Sequence, residues 1–156
     1  MSTTEETRAV VERFIIEGEK DFPVTGANLE VFKTNLRALF EELVHPDIVL
    51  HGVPGVPRGR DLWYDFYEKL GIAFPDSATT LNVMVVENDK AAVDWTWEAT
   101  HSAPLMGIPP TGIKLAVRGM TIERVESGKI VEHWAVIDQL SWLQQLGVIS
   151  ADLSVN

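Results

Sequence analysis

Apolar residues recur along the chain first at helical spacing and then, from Thr79 onward, at every second position. Thr3-Thr4-Glu5-Glu6 carries a capping-box pattern, with Thr3 as cap and Glu6 three residues on. Val10, Val11, Phe14 and Ile15 follow as one stripe of a helix that Phe22-Pro23-Val24-Thr25-Gly26 breaks. Asn28 is the expected next N-cap, because Leu29, Phe32, Leu36, Leu39, Phe40 and Leu43 then share a face. A stripe that regular is core, since a domain must bury it. His45-Pro46-Asp47 ends the second helix, and Ile48-Val49-Leu50-His51 reads as a short strand. The stretch Gly52 to Arg60 is a loop whose prolines lack the N–H donors of a phosphate cradle. Asp61 is expected to cap a third helix carrying Leu62, Trp63, Phe66, Tyr67 and Leu70.

The period then changes to two. Leu81, Val83 and Val85 alternate with Asn82, Met84 and Val86, and Glu87-Asn88-Asp89-Lys90 makes a hairpin turn. On the return strand Trp95, Trp97, Ala99 and His101 share one face. A loop from Pro104 to Gly112 precedes a strand from Ile113 to Val125, and Glu126-Ser127-Gly128 turns into a last long strand. With Gly128 left-handed after a type I turn, Val125 pairs with Lys129 and Arg118 falls opposite Val136. Helices gathered before a meander of strands indicate an α+β fold. A curved antiparallel sheet wrapped on three N-terminal helices leaves a pocket at its open end.

The 156 residues fit one domain, 1–156, with a sizeable core, and no repeat or linker divides them. Hydrophobic residues at 46% and charged residues at 23% are the balance of a soluble globular protein. Lys plus Arg number 13 against 23 Asp plus Glu, and the net charge of −10 repels nucleic acid and anionic membrane surfaces. Without cysteine there is no disulfide, thiolate metal site or Cys nucleophile. The acidic N-terminus lacks the plan of a signal peptide, and no apolar run reaches the roughly 18 residues that span a bilayer, so a cytoplasmic location is expected.

Candidate chemistry concentrates in Gly128 to Leu140. Strict alternation places Ile130, Glu132, Trp134, Val136 and Asp138 on one side and His133 on the other, which excludes a His133–Asp138 dyad. A carboxylate ending an apolar face beside a Trp is poorly solvated, the environment an acid/base catalyst needs. Asp138 also suits the N-cap of a helix marked by Leu140, Leu143 and Leu146, and one Asp can do both. Arg118 is within diagonal reach of Asp138, and such a pair would keep the carboxylate charged; a surface acid is the other partner open to it. His101 fits either a cavity wall or a loop hinge, and His51 either a cavity or a half-exposed structural place. His45, His51, His101 and His133 show no metal-ligand spacing.

Three segments carry a resemblance: Val44 to Gly52, Thr100-His101 with Met106 to Gly112, and Gly128 to Trp134 with Asp138 and Leu140. On these the chain, most clearly over residues 36–147, resembles the SnoaL-like polyketide cyclases, within the fold of nuclear transport factor two and ketosteroid isomerase. The resemblance implies a cone with an internal apolar cavity and a homodimer formed through the sheet. It implies an aspartate acid/base at Asp138 for an aldol ring closure, without metal or cofactor. His101 or Arg118 would then be the donor that polarises the carbonyl, and His51, Trp63, Trp97, Arg118, Met120 and Trp134 make up the expected substrate-binding set. Against the family pattern the segment Phe22 to Asn28 resembles an extension between the first two helices, which would reshape the cavity mouth. The Asp-Arg-Asp arrangement of related epoxide hydrolases is not supplied by the Trp95, Trp97, Ala99, His101 face. The expected function is cofactor-independent proton transfer next to a carbonyl of an apolar substrate, a cyclase or isomerase reaction. The alternatives are a non-catalytic small-molecule binder and a dimeric scaffold with a vestigial pocket.

Overall fold

The computed structural model describes residues 2–152. Helix α1 spans Thr4–Gly18, and its capping box forms: Glu6 N donates to Thr3 Oγ1 at 3.2 Å, and Thr3 N donates to Glu6 Oε2 at 3.0 Å. Helix α2, Leu29–Leu43, buries Phe32, Leu36, Leu39, Phe40 and Leu43, the stripe its sequence marks. Asn28 stands at the N-cap position but makes no side-chain cap bond. Its amide instead donates to the carbonyls of Asp21 and Pro23 and accepts from Thr25 N, which folds the extension between α1 and α2 onto itself. No loop follows α2: strand β1, Val44–His51, begins at the next residue.

Helix α3 runs Arg60–Ala73. Its N-cap is Gly59, at φ +99°, and Asp61 lies in the first turn, where it pairs with Arg37 at 3.0 Å rather than capping. Strands β2 (Ala78–Glu87), β3 (Lys90–Thr100), β4 (Lys114–Glu126) and β5 (Lys129–Ile137) precede a short helix α4, Gln139–Gln145. The sheet order is β1-β5-β4-β3-β2. The α+β class holds, but the sheet is mixed rather than wholly antiparallel, because β1 lies parallel to β5. Among the described residues no helix is long and apolar enough to cross a membrane.

The helices pack on one face of this sheet. Phe14, Phe40, Trp63 and Tyr67 form a ring cluster with centroids 5.2 to 5.9 Å apart. Such pairs contribute about 0.5–1.5 kcal/mol each beyond their area. A second cluster, around Phe74, Leu115, Trp142 and Leu146, closes the other end.

The β4–β5 hairpin departs from the expected register. Ser127 (φ 49°) and Gly128 (φ 75°) both take left-handed backbone, so a two-residue turn joins Glu126 to Lys129, and Val125 pairs with Ile130 rather than Lys129. The next pair is Arg124 with Glu132, which leaves Val131 as an extra residue. This bulge switches the faces of β5. Ile130 is fully buried, and His133, Ala135 and Ile137 point the same way, into the fold. Glu132 and Trp134 face outward, so Ile130 does not share their side.

Where β1 leaves the sheet, the chain passes tightly against β5. Gly52 has φ +87°, and a Cβ there would stand 2.1 Å from the Ala135 carbonyl oxygen. Gly55 has φ +72° and nothing within 4 Å of such a Cβ. Both Gly→Ala changes strain the backbone, by more than about 1 kcal/mol. Gly52→Ala adds a collision with backbone, so its urea midpoint should fall clearly below that of Gly55→Ala; equal midpoints would contradict the packing described.

Candidate functional site

Between the helices and the inner face of the sheet lies a cavity of about 230 Å³. Phe14 and Glu19 reach it from α1 and its end, Trp63 and Tyr67 from α3, Trp95 and Trp97 from β3, and Trp142 from α4. Its polar floor comes from β4 and β5, where Glu123 and His133 are register partners and both face inward. Their side chains meet at 2.8 Å, Glu123 Oε1 to His133 Nδ1, with relative exposures of 3% and 5%. The Trp63 ring lies 4.8 Å from the imidazole.

This pairing fixes the imidazole's chemistry. As a carboxylate, Glu123 only accepts, so Nδ1 of a neutral His133 carries the proton and Nε2 presents a lone pair. Among the described residues Nε2 has no hydrogen-bond partner, and the second carboxylate oxygen, Glu123 Oε2, is buried without one. Tyr67 is one helical turn beyond Trp63 on the same face of α3. Burial, then the charges of Glu123 and Glu19, push its phenol far above the usual tyrosine range. It therefore stays protonated, with an O–H available to donate. Glu19 is held in place by Thr79, whose N and Oγ1 donate at 2.7 and 2.6 Å.

The residues expected from sequence divide between the two faces of the sheet. Trp63 and Trp97 line the cavity. Asp138 does not: it is exposed, and its carboxylate accepts from Ser141 N at 3.0 Å as the N-cap of α4. The dry hollow expected around Asp138 is thus corrected; the strand alternation that put it beside an apolar face ignored the bulge and the end of β5. Arg118 lies on the outer face and binds Asp94, not Asp138, and this guanidinium holds the Asp94 carboxyl below its ordinary range. Only the backbone links Arg118 to Asp138, whose N–H donates to the Arg118 carbonyl. Met120, not Arg118, is opposite Val136, and both are exposed on that outer face. Trp134 stacks there on His51 at 5.1 Å, and His51 Nε2 meets Glu132 at 2.9 Å. His101 is buried outside the cavity lining: its Nδ1 accepts from Thr111 N at 3.3 Å and its ring stacks on Phe74. It ties down the base of the loop between β3 and β4.

Glu123 and His133 were not singled out from the sequence. The two-residue Ser127-Gly128 turn by itself would set Glu123 opposite Glu132, and only the bulged Val131 brings His133 there, so the sequence carries no sufficient signal for the pair.

The sequence profile of the SnoaL-like polyketide cyclase family matches residues 24–146. No curated protein matches the chain. Among solved structures, IdmH of Streptomyces antibioticus, assigned as a polyketide cyclase, is 34% identical over 77% of this chain and 93% of its own, with a TM-score of 0.62. A protein of a Jannaschia species, assigned as a SnoaL-like polyketide cyclase, is 19% identical, covers 96% of both chains and has a TM-score of 0.76. AclR of Streptomyces galilaeus, assigned as a hydroxylase, is 24% identical over 97% of this chain and 87% of its own, with a TM-score of 0.72. The last two likenesses concern the fold.

The chain has two tyrosines. Tyr64 is pushed up to about 12 by burial and its bond to Glu68, and Tyr67 lies higher still. Unfolded phenols titrate near about 10. Stability from keeping both neutral is complete below that pH and is lost as pH rises toward the folded values. Ultraviolet titration should therefore show no phenolate step near pH 10 in folded protein, and the urea midpoint should decline above it. A full two-tyrosine step near 10 without unfolding would refute the buried placement.

Proposed function

Because the chain belongs to the SnoaL-like polyketide cyclase family, we propose that it is a cofactor-independent cyclase or isomerase working by proton transfer next to a carbonyl. The observation that carries this reading is the Glu123–His133 pair in an aromatic cavity, the imidazole being hydrogen-bonded through Nδ1. His133 Nε2 takes a proton from the carbon beside the carbonyl, and the C–H electrons move onto the carbonyl oxygen. The Tyr67 hydroxyl donates a hydrogen bond to that developing enolate oxygen. Glu123 holds the imidazole in the tautomer that leaves Nε2 basic, and offsets the positive charge it gains. In a ring closure the enolate carbon attacks a second carbonyl, and the imidazolium returns its proton to the new alkoxide. In an isomerisation it returns the proton to a different carbon. The surrounding Trp and Phe rings exclude water and strengthen each of these interactions.

Deuterium exchange at the carbon beside the carbonyl of α-tetralone, followed by NMR in heavy water, tests this without knowledge of the natural substrate. The protein should accelerate exchange, and His133→Gln should remove about 10²–10⁴-fold of that acceleration. Tyr67→Phe should remove about 10²-fold, the cost of one oxyanion donor. Asp138→Asn, which preserves a capping side chain, should change nothing. Exchange that survives His133→Gln would overturn the reading. Binding without any exchange would favour a non-catalytic binder.

We also propose that a second copy docks on the outer face of the sheet. Val83, Val85, Met120, Ile122 and Val136 are exposed there on neighbouring strands, and apolar patches of this kind mark association surfaces. Sedimentation should find a dimer that Val136→Glu converts to a folded monomer; a monomeric parent protein would refute it.

A further inference from the structure

A Cβ placed on Gly119 would lie 2.4 Å from both Cζ2 and Cη2 of Trp95, and 3.0 Å from its Cε2. Equal approach to two bonded atoms, with the next ring atom only slightly farther, puts that point over the ring's face, not beyond its edge. The indole therefore lies flat across Gly119, its register partner on β4. Any side chain at 119 would lift the ring off the sheet. The other face of the indole looks toward the helices. Strand β3 is flanked by β2 and β4, so the surface that the partly exposed Trp95 leaves uncovered opens onto the cavity it lines. No aromatic ring of the protein covers that face: among the described residues Trp95 enters no ring pair. Trp97, by contrast, is met by Phe74 at 4.8 Å, and Trp63 by Phe14 at 5.2 Å. Gly119 and Glu123 are inward residues of β4, four positions and so about 14 Å apart at the rise of a strand.

We infer that Trp95, laid flat by Gly119, is a stacking platform that selects ligands with a planar ring remote from the reacting carbonyl. The inference takes from the acid/base reading only which end of the ligand lies at His133; the platform follows from Trp95 and Gly119. A planar conjugated ring sets its whole face on the indole in an offset stack. A saturated ring turns axial hydrogens toward it and makes fewer close contacts. Gly119 fixes the height of the platform, so the pair is the specificity determinant, not the indole alone. Contacts at such a remote ring hold the reacting end in place.

The test uses the full chain and two ketones that differ only in the remote ring, 4-acetylbiphenyl and 4-cyclohexylacetophenone, with affinities from equilibrium dialysis. The parent protein should bind the biphenyl about three- to tenfold more tightly, the range of one stacked ring pair. In Trp95→Leu the two affinities should become equal. Gly119→Ala keeps every indole but tips Trp95 off the sheet, and should lose most of the preference. Equal affinities in the parent protein, failure to bind either ketone, or a preference unchanged in either variant overturns the inference. Should one variant fail to fold, the other decides. Deuterium exchange at the acetyl methyl group separates the two readings. Exchange without a preference discards this inference alone, and a preference without exchange discards only the acid/base reading.

Discussion

One extra residue in β5 decides what the cavity contains. A strand side chain occupies one face or the other, and a bulge moves every residue beyond it to the opposite side. Because Val131 is that residue, Ile130 can pack in the core while His133 also turns inward. Remove the bulge and either Ile130 or His133 is expelled. The hydrogen bond to Glu123, the Trp63 contact and the lone pair offered by Nε2 all follow from this single irregularity.

The energetic arrangement around the pair is coherent. A buried imidazole and carboxylate are costly apart, and the loss of one would leave the other uncompensated. Here they satisfy each other through one oxygen and one nitrogen, in a cavity lined largely by aromatic side chains. Tyr67 is placed so that two acidic residues oppose its ionisation. The chain's outer charges do different work: Arg118 with Asp94, and Arg124 with Glu132, lie on the opposite face of the sheet, out of contact with the cavity.

Much of the architecture was legible in the chain. The helical stripe of Phe32, Leu36, Leu39, Phe40 and Leu43 and the alternation after Thr79 are strong periodic signals, and both became the elements they mark. The resemblance in three segments gave the family, and Trp63 and Trp97 do line the cavity. The polar centre was not legible. Period-two reasoning carries a face assignment along a strand only while the ladder is regular, and no local composition announces the bulge at Val131. Asp138 drew attention because it ends an apolar run, yet that same position is where a helix begins and needs a cap. The parallel pairing of β1 was likewise hidden, since it joins segments remote in sequence.

That remote pairing bears on how the molecule assembles. The β4–β5 hairpin closes through a two-residue turn, a local and rapid event, whereas His51 and Glu132 come together from 81 positions apart. The strand carrying His133 lies between these two partners, one acquired early and one late. Glu123 and His133 can therefore meet in a nascent hairpin before the edge strand arrives and carries Gly52, Val53 and Pro54, the segment just beyond it, to the cavity wall.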